Sequence, residues 1–194
     1  MSVELRLDFV TADFAAVQEG LRQCSSLASL WVGEVYRSAT PRYARTGDIV
    51  TGVGSAKMGG RWNPPGSFPT VYASLQPEAA MSESLATFRY YGWDLYNAMP
   101  RVFRALEAHL SRILDLRRLE ILPYLGAWLE MARSEDWRAL QRAGREPATQ
   151  MIGRAAFESG LEGLLVPSFA SPGNTNLVAF PESFAPGSWI RVIR

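Results

Sequence analysis

The alternation of hydrophobic and polar positions divides the chain into short strands and amphipathic helices. A period of two residues, or a short apolar run between turn signals, predicts strands at residues 3–10, 30–38, 70–75, 101–110, 161–167, 176–180 and 188–193. Helical spacing predicts helices at residues 11–24, 76–91 and, with a break at 145–147, 116–160. This mixture predicts an α+β fold in a single domain, 1–194, with a helical insertion at about 117–147.

A long connection interrupts this pattern at residues 40–66. It is rich in glycine and proline, yet it also carries aromatic and arginine residues, which favour an ordered loop. Because a connection of this length inside a compact domain is usually functional or disordered, we expect this one to contribute to a site.

Composition and charge narrow the classes of function. The chain is 47% hydrophobic and 20% charged, with a net charge of +1, so no bulk charge attracts it to nucleic acid or to a membrane. The first residues lack the apolar run of a signal peptide, and no stretch approaches the roughly 18 apolar residues of a membrane helix. We therefore expect a cytoplasmic protein that binds neither nucleic acid nor a membrane directly.

The chain has too few histidine and cysteine residues for a catalytic site built on them. The chain has one histidine, His109, and one cysteine, Cys24, so it predicts no internal disulfide and no zinc cluster. His109 falls on a predicted strand without a nucleophile to pair with, which favours a structural role. A catalytic site here would have to rely on carboxylate, tyrosine, serine and arginine side chains.

Candidate residues for such a site are concentrated between residues 59 and 83. Gly59 and Gly60 precede Arg61, so backbone N–H groups could approach an anion closely beside a guanidinium group. The alternative is a glycine turn with a surface arginine. Glu83 lies on a helix face of small and apolar residues, where a buried carboxylate needs a partner.

Three further candidates come from strands. Arg37 and Tyr36 end one strand on opposite faces, so Arg37 either points into a cleft or is exposed. Tyr72 lies on the strand that precedes the Glu83 helix. Ser168 follows an apolar run and is either a turn former or a site residue.

Together these segments resemble the RES domain, a family named for an arginine, a glutamate and a serine. The resemblance covers about residues 30–180. It lies in the segments VYRSA, GGRWNPPG, VYAS and VPSFASPGNTNLVAF, with Arg37, Arg61, Tyr72 and Ser168, and in Glu83, eleven residues after the tyrosine.

The resemblance implies a fold like that of ADP-ribosyltransferases, in which two antiparallel sheets flank a cleft that binds NAD. Members of the family are toxins of bacterial toxin–antitoxin pairs that deplete NAD by hydrolysis or phosphorolysis, or transfer ADP-ribose to a protein. The usual antitoxin has an Xre-like, helix-turn-helix DNA-binding region and a part that blocks the cleft.

The resemblance also implies roles for the candidate residues. Glu83, Arg37 and Ser168 would be catalytic, and Arg37, Arg61, Tyr72 and Ser168 would bind NAD. Cleavage of the nicotinamide–ribose bond develops positive charge on the ribose, which Glu83 would stabilise. Because nicotinamide leaves as a neutral molecule, this chemistry needs neither a general acid nor a metal.

Other interpretations remain open at this stage. The same site would serve an ADP-ribosyltransferase that modifies a protein, and the fold could also serve a binding module without activity. The large apolar residues of the insertion could cover the core, or they could form a surface for an antitoxin or for a second copy of the chain. They are Trp128, Leu129, Met131 and Trp137.

Overall fold

The computed structural model describes residues 3–45 and 47–193, and its strands belong to one six-stranded sheet. The strands are β1 (Ser29–Ala39), β2 (Val71–Ser74), β3 (Val102–Asp115), β4 (Gly163–Pro167), β5 (Thr175–Ala179) and β6 (Trp189–Val192). The helices are α1 (Val3–Cys24), α2 (Val53–Met58), α3 (Pro77–Tyr91), α4 (Leu122–Ser134), α5 (Trp137–Arg142) and α6 (Ala148–Glu158). Residues 1, 2, 46 and 194 of the expected domain lie outside the described residues.

The sheet closes on itself through β3. Its strands run in the order β1-β2-β5-β4-β3-β6, and β3 also pairs with β1 from Ser29↔Ile113 to Ala39↔Val102. On its other edge, β3 pairs first with β6 and then, in parallel, with β4. The pairing between β1 and β2 is recorded at Tyr36↔Ser74.

This closure corrects the expectation of two antiparallel sheets. The 14-residue β3 is long enough to pair with β1 along one edge and with two shorter strands along the other. It therefore joins what would otherwise be separate sheets, and its pairing with β4 is parallel.

The central strands are buried on both faces. In β4, Leu164 and Val166 pack with the helices α1, α4 and α6, whereas Leu165 packs with the interior of the closed sheet. The same alternation places Tyr72 of β2 on the helix side. Burial of each leucine contributes roughly 1.5–3 kcal/mol to the stability of the fold. The packed strands therefore hold the polar residues at their ends in place.

Two predicted elements differ from the structure. Residues 3–10 belong to α1 and not to a strand, because alternation over eight residues does not exclude a helix and the segment is rich in helix-forming glutamate, leucine and arginine. Residues 40–66 contain the short helix α2 within the expected loop. None of the described helices is long and apolar enough to cross a membrane.

The helical insertion packs mainly against the body of the protein. In α4, Leu129 is buried in the core and Trp128 packs at its edge, whereas Met131 is 42% exposed. The predicted break at 145–147 separates α5 from α6. Trp137, at the start of α5, lines a cleft and is not part of the core.

Candidate active site

A cleft of about 730 Å³ opens beside the ends of β1 and β2. Its lining comes from these strands, from α3, from the loop after α2, from the loop after β4 and from the start of α5. Four of the five predicted residues line it, namely Arg37, Arg61, Tyr72 and Glu83. The fifth, Ser168, is buried and contacts the Glu83 carboxylate.

Helix α3 carries Glu83 into the cleft. The helix begins with Pro77, whose missing N–H is harmless in a first turn, and ends before Gly92, which adopts the left-handed φ of 65°. Glu83 is half-buried, and its Oε1 accepts hydrogen bonds from Ser168 Oγ at 2.7 Å and from Ala170 N at 3.4 Å. Within the described residues, Oε2 makes no hydrogen bond and remains available to a ligand.

The third donor to Glu83 is Asn176, which sequence reasoning missed. Its Nδ2 donates to Glu83 Oε1 at 2.7 Å, and its Oδ1 accepts from Ser74 Oγ at 2.7 Å. Ser74 and Asn176 face each other in the pairing of β2 with β5, which fixes the amide. The available signal was an asparagine at the start of the otherwise apolar run NLVAF.

Ser168 serves both as a turn former and as a partner of the carboxylate. Its Oγ donates to Glu83 and accepts from Ser171 N at 3.0 Å, while its N–H donates to Asn174 O at 2.8 Å. The loop after β4 is thereby closed around the serine, so the orientation of Glu83 depends on this loop.

Two of the arginines that line the cleft, Arg37 and Arg61, have no carboxylate partner among the residues that the structure describes. Neither the Arg37 nor the Arg61 guanidinium makes a hydrogen bond or an ion pair with any residue that the structure describes, and Arg37 Nη1 is fully buried. Burial lowers the pKa of each side chain to about 10; the nearby Glu83 carboxylate opposes this effect at Arg61. Both remain charged at neutral pH, and because a buried cation without a partner is unfavourable, both favour an anionic ligand.

Aromatic rings position Arg61. Its guanidinium lies 3.8 Å from the centroid of the Phe169 ring and 5.8 Å from that of Trp137. Arginine stacks well on such faces, which fixes the cation without neutralising its charge.

Tyr72 holds the loop that carries Arg61. Its hydroxyl donates to Asn63 Oδ1 at 2.7 Å and accepts from Trp62 N at 2.9 Å, and burial raises the pKa of the phenol well above its usual range. A Cβ on Gly60 would lie 2.5 Å from this hydroxyl, so glycine is required there. The Tyr72 ring lines the cleft, but its hydroxyl is committed to the loop.

Helix α6 supports the same loop from the other side. Gln150 Nε2 donates to Gly60 O at 2.8 Å. A Cβ on Gly153 would lie 1.8 Å from the Trp62 carbonyl oxygen, so the helix and the loop are in direct backbone contact. His109, in contrast, lies on β3 beside Trp189 and does not line the cleft.

In the part of the chain that the structure describes, the cleft thus combines one carboxylate, Glu83, with arginines that form no ion pair. This arrangement is that of a site that binds an anionic ligand and stabilises positive charge next to it. Among residues 3–45 and 47–193, no group of three or more histidine, cysteine, aspartate or glutamate residues is placed to hold a metal ion.

Comparison with known proteins places this site in a family. The model of the RES domain matches residues 34–190, and the chain belongs to that family. Relatives from Mycobacterium tuberculosis and Mycobacterium bovis, both named NAD(+) phosphorylase MbcT, are 25% identical over 142 residues, which are 72% of this chain and 71% of each relative.

The fold is shared with a solved relative. The crystal structure of the M. tuberculosis MbcT–MbcA toxin–antitoxin complex contains a chain that matches with a TM-score of 0.67 and 23% identity, over 92% of this chain and 91% of that one. The mixed α+β architecture is therefore that of MbcT.

Proposed function

We propose that this protein cleaves the bond between nicotinamide and ribose in NAD. The observation that carries the proposal is the Glu83 carboxylate, which is held by three donors on Oε1 and lines a cleft together with Arg37 and Arg61, neither of which is hydrogen-bonded within the described chain. NAD combines the two features that such a cleft selects, a diphosphate and a sugar that becomes cationic as its base departs. The activity named for the MbcT relatives supports the same reaction.

Glu83 stabilises the cationic ribose in the transition state. As the bond between C1′ and the nicotinamide nitrogen breaks, its electron pair leaves with the base, and positive charge develops on the sugar ring. A carboxylate fixed beside that charge lowers the barrier, because its orientation is set before the reaction begins. Ser168 keeps the carboxylate in place through its hydrogen bond.

The arginines bind the diphosphate of NAD. A guanidinium group donates two parallel hydrogen bonds to phosphate, and Arg37 and Arg61 have no competing partner within the described chain. The Tyr72 ring forms part of the wall beside them. In this role Tyr72 contacts the nicotinamide end through its ring and not through its hydroxyl.

Inorganic phosphate is the acceptor that we favour. An oxygen of phosphate bonds to C1′ as neutral nicotinamide departs, which gives ADP-ribose phosphate; with water as the acceptor, the products are ADP-ribose and a proton. A protein side chain as the acceptor would make the enzyme an ADP-ribosyltransferase, in keeping with the predicted likeness to that fold.

A protein partner follows from the same family. We propose that a cognate antitoxin with a helix-turn-helix region binds this chain in the cytoplasm and blocks the cleft. The relative solved as a complex with its antitoxin supports such a partner. Assembly into a homo-oligomer stays a prediction.

The test is to incubate the purified protein with NAD, with and without phosphate, and to identify the products by mass. We expect nicotinamide together with ADP-ribose phosphate, and Glu83→Gln should reduce turnover about a hundredfold or more. Free ADP-ribose would identify water as the acceptor, and label on a protein would identify transfer. Turnover by Glu83→Gln at the rate of the unmodified protein would refute the role of the carboxylate.

A further inference from the structure

A second group of side chains lines the cleft beside Arg61 and takes no part in the proposed cleavage. It consists of Tyr90, near the end of α3, and of Trp137 and Arg138, at the start of α5. We refer to these three residues as the aromatic rim. Because the Arg61 guanidinium lies 5.8 Å from the centroid of the Trp137 ring, a ligand that extends from Glu83 past Arg61 reaches the rim.

The rim is held rigid from outside the cleft. The Tyr90 hydroxyl donates to Asp136 Oδ2 at 2.5 Å and accepts from Arg142 Nη2 at 3.2 Å. Asp136 also caps α5 by accepting from Ala139 N at 3.0 Å. These bonds tie the end of α3 to the start of α5, so the Tyr90 ring and the backbone that carries Trp137 are held in place before a ligand arrives.

Arg138 presents a flat cation at this rim. Its guanidinium lies 4.4 Å from the centroid of the Trp137 ring and 5.1 Å from that of Tyr90, and it donates to Thr87 Oγ1 at 3.3 Å. It forms no ion pair with a carboxylate in the part of the chain that the structure describes. A guanidinium plane of this kind stacks on nucleobases, as aromatic rings do.

Trp137 adds an unsatisfied donor. Its Nε1 is buried and has no hydrogen-bond acceptor among residues 3–45 and 47–193. Buried N–H groups are nearly always paired, so an unpaired one on a side chain that lines a cleft calls for an explanation, and an acceptor on a bound ligand supplies one. The ring nitrogens of a purine are acceptors of this kind.

We propose that the aromatic rim binds the adenine base of NAD. The proposal rests on the proposed function, which places the nicotinamide ribose at Glu83 and the diphosphate at Arg61, so that the adenosine end reaches the rim. A cleft of about 730 Å³ is large enough for both halves of the dinucleotide. The helical insertion then has a role in substrate recognition, because it supplies Trp137 and Arg138.

The first experiment compares NAD with nicotinamide mononucleotide, which carries the reacting bond but no adenosine. In Trp137→Ala, the ratio of kcat/KM for NAD to that for the mononucleotide should fall about tenfold or more, the usual scale for loss of one stacked base. Arg138→Gln, a milder change, should shift the ratio in the same direction. The matched control is Trp93→Ala, since Trp93 is 54% exposed and does not line the cleft.

An equal loss for both substrates would overturn the proposal and would assign the rim to the nicotinamide end. A second measurement needs no turnover. Adenosine monophosphate should bind the full-length protein in calorimetry. The affinity of Trp137→Ala should be reduced at least about tenfold, whereas Trp93→Ala should bind as the unmodified protein does.

The two proposals can fail separately. If the protein releases no nicotinamide from NAD, the proposed function fails, and binding of adenosine monophosphate still tests the rim. If NAD is cleaved but the monophosphate does not bind, or binds Trp137→Ala and the unmodified protein equally, the rim is not the adenine subsite.

Discussion

Asn176 holds the Glu83 carboxylate, and its removal gives a quantitative prediction. The Asn176→Ala change deletes one hydrogen bond of 2.7 Å to a charged group, and such bonds contribute about 1.5–3 kcal/mol. At 1.36 kcal/mol for each factor of ten, kcat for NAD cleavage should fall by about 10- to 150-fold. KM should change little, because Asn176 bonds to Glu83 and Ser74 and forms no hydrogen bond with Arg37 or Arg61, which we assign to the diphosphate.

The assay is a double-mutant cycle that measures nicotinamide release by mass. If Asn176 acts through Glu83, adding Asn176→Ala to Glu83→Ala should reduce the residual rate by less than about threefold. The matched control is Asn97→Ala, at an exposed asparagine that does not line the cleft. Thermal melting followed by circular dichroism identifies variants that lose their fold.

An indirect role of Asn176 through Glu83 is refuted if Asn176→Ala lowers the rate by the same factor with and without the Glu83 carboxylate. That result would mean that Asn176 supports the pairing of β2 with β5 and not the Glu83 carboxylate. A change in KM alone would also contradict it, because it would place Asn176 in substrate binding.

Three further predictions address the supports of the cleft. Arg37→Met should leave the free energy of unfolding in urea unchanged or higher, since it removes a buried cation without a partner, while NAD turnover falls about a hundredfold or more; a large loss of stability would contradict this. Gly153→Ala should lose at least about 2 kcal/mol of stability by forcing Trp62 away, whereas Gly126→Ala, with its nearest atom at 3.6 Å, should gain up to about 1 kcal/mol; equal effects would refute the backbone contact. Cys24 should resist alkylation near pH 8 until the protein unfolds, because burial raises the pKa of its thiol; labelling of the native protein at the unfolded rate would show otherwise.

Local patterns predicted the elements that carry the site. Residues typical of strands located β1 and β2, and the proline in the first turn located α3, so the sequence placed Arg37, Tyr72 and Glu83 on their elements. The resemblance to the RES motifs added Arg61 and Ser168 to the predicted site. The two alternatives for Ser168, a turn former or a site residue, do not exclude each other, because its side chain closes the turn and also contacts Glu83.

Pairings between distant residues could not be predicted. Ser74 and Asn176 are separated by 102 residues, and their contact depends on how the sheet closes, which no local pattern encodes. The same holds for Trp137 and Arg138, whose helix packs beside α3 only in the folded protein. Periodicity reports burial, but it does not report which strand or helix provides the neighbour.

The closure of the sheet has a consequence for motion. Within the part of the chain that the structure describes, the ladder between β1 and β2 pairs Tyr36 with Ser74, whereas β2 with β5 and β3 with β4 are each paired at several positions. A ring of strands opens most easily where it has the fewest bonds, and this seam lies along the cleft, next to Arg37. We therefore expect local opening of the fold to be easiest at the wall through which the dinucleotide of the proposed reaction would enter and its products would leave.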